Sequence, residues 1–271
     1  MNKNRLFRTL AFVMIIAISF SCNKYQKILK KGDMNEKYET VFKIYEKKDY
    51  ITALQFLDEL IPLYRGSEKM QKLMNLYPWC YYHNGDYMLA SYHFKQYARL
   101  FPNAQDTEEA EYMVAYCSYL DSAPFSLDQT NTHTAIGDLQ LFINKYPKSE
   151  RVAQCNELMD ELREKLARKD FELAKLYFNI ESYNAAAIAF NNLLKDYPET
   201  KHREEAFFYL VKNYYIYANK STDAKKVERY RESIEYFQKL NESFPESEYV
   251  KEAESIAKAS RRNIERIEQN K

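Results

Sequence analysis

Four histidines, four cysteines and a large stock of carboxylates are the side chains of this 271-residue chain that could do chemistry. Their spacing excludes most of it. His83, His93, His133 and His202 include no pair at metal-binding spacing on a helix, and no two cysteines have the two-residue gap of a zinc knuckle, so no metal site is expected. No G-x-S-x-G elbow places a serine for attack. The carboxylate pairs Glu108-Glu109, Asp160-Glu161 and Glu204-Glu205 fall on polar helical faces, where solvation rather than acid-base work is the expected role. Asp121 and Asp128 lie close in sequence, but their pattern is unlike an EF-hand. The glycines, Gly32, Gly66, Gly85 and Gly137, are too scattered for backbone to cradle a phosphate. Lys plus Arg number 40 against 39 Asp plus Glu, which gives no reason to expect a nucleic acid partner. Neither an enzyme nor a cofactor is implied.

Cys22 has a different setting. Lys3, Arg5 and Arg8 precede the apolar run Leu10 to Ile18, which is too short to span a bilayer comfortably, and Ser19-Phe20-Ser21-Cys22 follows. The pattern resembles a bacterial lipobox with Ser19 where Leu is commonest. Residues 1–21 then read as a lipoprotein signal peptide and Cys22 as the lipid-bearing first residue, with 22–34 as a tether containing Lys24, Lys27, Lys30 and Lys31. A conventionally cleaved signal or an uncleaved anchor are the other readings. One acyl chain binds a membrane only marginally, at ~0.8 kcal/mol per buried methylene, whereas the several chains on a processed lipoprotein cysteine hold it stably. Cys80, Cys117 and Cys155 stand at unrelated spacings; a buried thiol role is expected for Cys155, and a Cys80 to Cys117 bridge is the oxidised alternative.

The elements that must position all these residues announce themselves by repetition. FPNAQDTEEA, YPKSERVAQC, YPETKHREEA and FPESEYVKEA each pair an aromatic with proline and place Ala or Cys eight positions after the proline. Twelve positions before the four prolines stand Ala90, Ala135, Ala186 and Ser233, and eight before them Phe94, Leu139, Phe190 and Phe237. A small residue, a large one four on, and a closing proline are the signature of tetratricopeptide hairpins. An earlier unit has Tyr50, Ala53, Leu57 and Leu60. The expected fold is therefore all-α, a tetratricopeptide-repeat superhelix of about five helical hairpins over 35–271, with N-terminal repeats to 147 and C-terminal repeats from 148. Extra segments are expected at Ser122 to His133, as a loop, and around Ala218 to Arg229. A continuous amphipathic helix is predicted from Val152 through Phe178, and a last helix from Ala253 to Ile267 caps the array. Pro78 falls inside a helix of the second unit, where a kink or a break and restart is expected.

Most aromatics at helical spacing are core. Tyr77, Tyr81, Tyr82, Tyr112, Tyr116 and Tyr119 lie on the first helices of units two and three, which face inward in such arrays, and are candidates for a groove that holds an extended or hairpin peptide. On the last helix, Lys258, Arg262 and Arg266 occupy the polar face and are candidates for partner binding.

The lipobox-like start, the order of units with Tyr/Phe-Pro closers, the GDYMLA turn (Gly85 to Ala90) and the segment SLDQTNTHTAI (Ser126 to Ile136) resemble the BamD family of outer-membrane protein assembly lipoproteins. The resemblance runs from Cys22 almost to the end. It implies a lipoprotein on the periplasmic face of the cell outer membrane that partners a BamA-type insertase and other subunits of the barrel-assembly machinery. It also implies that unfolded outer-membrane proteins are received at the N-terminal repeats while the C-terminal repeats face the insertase. Another lipidated repeat protein of the envelope, such as a secretin pilotin or a cell-envelope coordinator, is the alternative. A glycan-binding surface lipoprotein has only Trp79 for stacking, and a murein lyase lacks an identifiable catalytic Glu.

Overall fold

The computed structural model describes residues 25–269, in which all regular structure is helical. Helical residues 25–31 (α1) precede five hairpins: α2 (Met34–Glu46) with α3 (Tyr50–Leu63), α4 (Glu68–His83) with α5 (Tyr87–Leu100), α6 (Thr107–Leu120) with α7 (Thr130–Lys145), α8 (Val152–Asn179) with α9 (Tyr183–Asp196), and α10 (Arg203–Asn219) with α11 (Asp223–Ser243). A last helix, α12 (Val250–Gln269), packs on α10 and α11.

The repeated phrase explains where helices stop. The N–H groups of Phe101, Tyr146, Tyr197 and Phe244 make the final bonds of their helices, to the carbonyls four residues back at 2.8–2.9 Å. The next residue is proline, which has no N–H to continue the ladder. Each aromatic carbonyl then accepts from the residue three on (Ala104, Ser149, Thr200, Ser247), whose own carbonyl accepts from Thr107, Val152, Arg203 or Val250 at the head of the next helix. One pair of turns is thus built four times.

The small residues are the close-packing seats. Ala53, Ala90, Ala135, Ala186 and Ser233 on the second helices are fully buried, as are Cys155, Ala206 and Ala253 on the first helices after a closer. Phe94, Leu139 and Phe190 fill the adjoining space and are also fully buried. With no bulk at the seats, helix axes can approach closely and the large neighbours interlock.

Hairpin turns also share a form. Lys48, Gly85 and Glu181 adopt positive φ (62°, 82° and 62°), and the next residue donates its N–H back to Ile44, Tyr81 or Tyr177. The side chains of Asp49 and Asp86 then cap α3 and α5 by accepting from Thr52 and Leu89 N–H.

Several elements depart from the sequence expectation. The described part of the tether is helical, and Tyr25, Ile28 and Leu29 pack against the core of Val41, Ile44, Ala53 and Leu57. Helix α4 runs through Pro78 without a break, its proline ring buried; burial on this face outweighs the ~3 kcal/mol local cost of an interior proline. The loop after α6 ends at Gln129 rather than at His133, because the Asp128 carboxylate accepts the Thr130 N–H at 2.9 Å and starts α7 there. The extra length in unit five becomes helix, so that α10 and α11 reach 17 and 21 residues. Helix α8 is the single long helix that was expected, at 28 residues. Cys80, Cys117 and Cys155 are buried, and the Cys80 to Cys117 bridge is not formed.

Packing divides the described chain into two units. One takes residues up to Asp121 and Gly137–Val152; the other takes Ser122–Ile136 and Ala153 onward. The stretch 122–136 therefore belongs with the C-terminal repeats and not with the N-terminal ones.

Candidate functional site

In the first unit, α3, α4 and α5 assemble an aromatic and polar cluster. Tyr77 and Tyr81 stand one turn apart on α4, with rings 5.2 Å apart and hydroxyls 3.2 Å apart. The Tyr77 hydroxyl donates to Asp58 Oδ1 of α3 at 2.5 Å. His93 of α5 closes the group, 4.5 Å from the Tyr77 ring and stacked on Tyr81 at 5.1 Å. Burial lowers the His93 pKa against the opposing pull of Asp58 and Asp86, so the imidazole is neutral at pH 7. Burial, then the bond to Asp58, pushes the Tyr77 phenol far above its ordinary range. The cluster offers flat apolar faces and hydrogen-bonding groups with one carboxylate, Asp58, among them, which suits peptide backbone and side chains.

A second group follows along α6. Tyr82 of α4 lies 6.5 Å from Tyr116, which stacks on Tyr119 at 6.0 Å and on Tyr112 at 5.7 Å. Tyr112 is only 3% exposed: the Arg151 guanidinium lies 4.3 Å over its ring while gripping Glu109 at 2.8 and 2.9 Å, and Phe142 closes its edge. That makes Tyr112 packing, not lining. The other five tyrosines proposed for a groove are half-buried and fall into two sets, Tyr77 with Tyr81 and Tyr82 with Tyr116 and Tyr119. A separate groove of about 740 Å³ in this unit runs past Ala98, Val114, Leu141 and Phe142, rimmed by Lys95, Arg99 and Lys145.

The second unit carries a charged furrow of about 580 Å³ between α8, α10 and the loop before α7. Arg168 covers the Phe125 ring at 4.1 Å, His202 stacks on Phe171 at 4.5 Å, and Lys175 approaches Glu205 at 3.6 Å. The loop is held by a buried glutamine that residue spacing does not reveal. Gln129 donates to the carbonyls of Pro124 and Leu127 at 2.8 and 3.0 Å and accepts from the Thr132 hydroxyl at 2.8 Å. Lys165 bonds Ser122 Oγ at 2.8 Å, and Lys169 bonds the Leu127 carbonyl. His93 and Asp58 were likewise missed, since each reads alone as a surface residue.

Lys258, Arg262 and Arg266 are all exposed on α12, and Lys258 pairs with Glu254 at 2.9 Å. Cys22 and residues 1–21, expected as a signal peptide, lie outside the described residues. No helix among the described residues is long and apolar enough to cross a membrane.

The sequence model of the YfiO family, described as an outer membrane lipoprotein, matches residues 30–229. The outer membrane protein assembly factor BamD of Haemophilus influenzae is 22% identical over 78% of this chain and 84% of its own length. The putative BamD of Aquifex aeolicus is 28% identical over 92% of this chain and 80% of its own. Among solved structures, the TPR2AB-domain:pHSP90 complex of yeast Sti1 matches with TM-score 0.42 and 14% identity, covering 85% of this chain and 84% of that one.

Proposed function

The chain belongs to the YfiO family of outer membrane lipoproteins, and from that premise we propose that it is a non-enzymatic scaffold of the outer-membrane barrel-assembly machinery. The observation that carries this reading is the family match across 30–229, which takes in the first four hairpins and α10. In this reading Cys22 carries the lipid, and the protein sits at the periplasmic face of the outer membrane. The tyrosine sets of the first unit hold segments of unfolded outer-membrane proteins, and the polar face of α12 meets a BamA-type insertase. The site chemistry fits binding without bond making: stacked tyrosine rings, an imidazole whose pKa burial lowers, and the Asp58 carboxylate held by Tyr77. Anchoring raises the effective concentration of scaffold and insertase on one surface, so modest individual affinities suffice.

The test is co-purification from detergent-extracted envelopes. The lipidated wild-type chain is expected to bring down a barrel-forming insertase. Lys258→Glu, Arg262→Glu and Arg266→Glu combined are expected to lower insertase yield several-fold without changing the melting temperature, because all three side chains are exposed. Full insertase yield from the triple variant removes α12 as the contact, and absence of any barrel protein from the wild-type eluate removes the scaffold reading.

A further inference from the structure

The described chain starts, at Tyr25, against one edge of the first two hairpins. Tyr25 follows Cys22 by three positions, and even an extended chain covers only ~3.6 Å per residue, which keeps Cys22 within about 11 Å of Tyr25. Tyr25 is itself fixed. Lys47 donates to its hydroxyl at 2.9 Å, and Gln26 bonds Gln55 of α3 at 3.0 Å. Lys47 and Lys48 belong to the α2–α3 turn, and the α4–α5 turn lies against it, with Tyr50 stacked on His83 at 4.8 Å.

This edge carries exposed apolar side chains. Two positions before the close-packing seat of each second helix, the five hairpins have Ile51, Met88, His133, Asn184 and Arg231, all exposed. Only the two hairpins at the anchored edge place a large apolar side chain there. Ile51 and Met88 are 61% and 68% exposed, and Tyr92, one turn beyond Met88, is 55% exposed. Lys27 on α1, Lys43 near the end of α2, and Lys47 and Lys48 in the α2–α3 turn are exposed. The acids of these two turns are exposed Glu46 and the helix caps Asp49 and Asp86.

We propose that this edge is a membrane-docking surface, on which Ile51 and Met88 enter the boundary between headgroups and acyl chains while Lys47 and Lys48 meet lipid phosphates. The occupant is the phospholipid leaflet that holds Cys22, because the short link leaves that leaflet in reach of the apolar pair. The inference rests on the lipid-anchor reading. Apolar side chains flanked by lysines are the composition that favours an interfacial position. Docking in this way would hold the first unit against the bilayer instead of letting it swing on its anchor.

The test uses the full lipidated chain in vesicles of phosphatidylethanolamine and phosphatidylglycerol, with a nitroxide on Ile51→Cys, Met88→Cys or, as reference, Asn184→Cys. The native thiols Cys80, Cys117 and Cys155 are buried, so the probe goes to the introduced one. Expected is loss of collisions with an aqueous nickel chelate at positions 51 and 88, with a gain of collisions with oxygen, while position 184 stays open to the chelate. If mass spectrometry finds acyl chains on Cys22 and all three probes are equally open to the chelate, docking is overturned and the anchor stands. An unacylated Cys22 overturns both. Shielding that disappears as protein is diluted in lipid overturns the proposal in favour of a second copy of the chain.

Discussion

Cys80 and Cys117 sit at zero exposure, on α4 and α6, and burial raises both thiols to about 12. A thiol is reactive as thiolate, so neither should be modified in the native protein near pH 8. Treatment with an aromatic disulfide reagent is expected to leave both intact, and unfolding in guanidinium to release them; rapid native labelling at either site would contradict their placement. The same burial fixes a pH dependence. From the ordinary thiol value of 9.0 up to about 12, the unfolded chain has lost these protons while the folded chain retains them. Unfolding then releases protons, so stability present below pH 9 falls as pH rises through this window. Tyr45 and Tyr214, also raised to about 12 by burial, act in the same direction from 10.0 upward. Melting temperature measured between pH 8 and 11 is expected to decline, with the fall reduced in Cys80→Ala and Cys117→Ala relative to each variant's own value at pH 8.

At the scale of the element, the hairpin turn is the feature whose energetics can be tested most directly. Lys48, Gly85 and Glu181 occupy the same left-handed position, yet only Gly85 takes it without steric cost. Lys48→Gly is expected to stabilise the protein by about 1 kcal/mol, and Gly85→Ala to destabilise it by about 1 kcal/mol, as read by urea unfolding. A Cβ at Gly85 meets no atom within 4 Å, so the second effect isolates backbone strain. The hairpins were legible because their logic is local: an aromatic-proline stop, a small seat eight positions later, and three- and four-residue apolar spacing. Where sequence reasoning failed, the deciding contact was remote. Tyr25, Ile28 and Leu29 have helical spacing, but among four lysines they resembled a solvated linker until the core of the first hairpin was there to receive them. Pro78 promised an interruption that packing overrides. Asp58 and His93 come together from α3 and α5, and Gln129 gains its partners only when the loop closes. None of these leaves a spacing pattern, because partners on different elements have no fixed separation in sequence.

For the whole molecule, the division into units decides what a truncation means. Cutting after Ser243 removes Ala253, Ala257 and Ser260, all fully buried, and uncovers Ala206, Leu210 and Leu240 in the core of the second unit. Loss of insertase from such a protein would not separate a missing contact from a damaged fold. Removing cover from an apolar core costs roughly 25 cal/mol per Å² uncovered, enough to lower the melting temperature visibly in a marginally stable chain. The charge reversals at Lys258, Arg262 and Arg266 leave that core closed. A similar point applies at the other boundary. A fragment ending at Pro147, where the repeat closers suggest a cut, retains Ser122 and Leu127 but loses Lys165 and Lys169, which bond them. Hydrogen exchange on the fragment 25–147 is expected to show the amides of 122–136 exchanging much faster than in the intact chain, while α2 to α5 remain protected. Equal protection of 122–136 in both would mean that this stretch is held by the N-terminal repeats alone, and that the chain does divide at the closing proline.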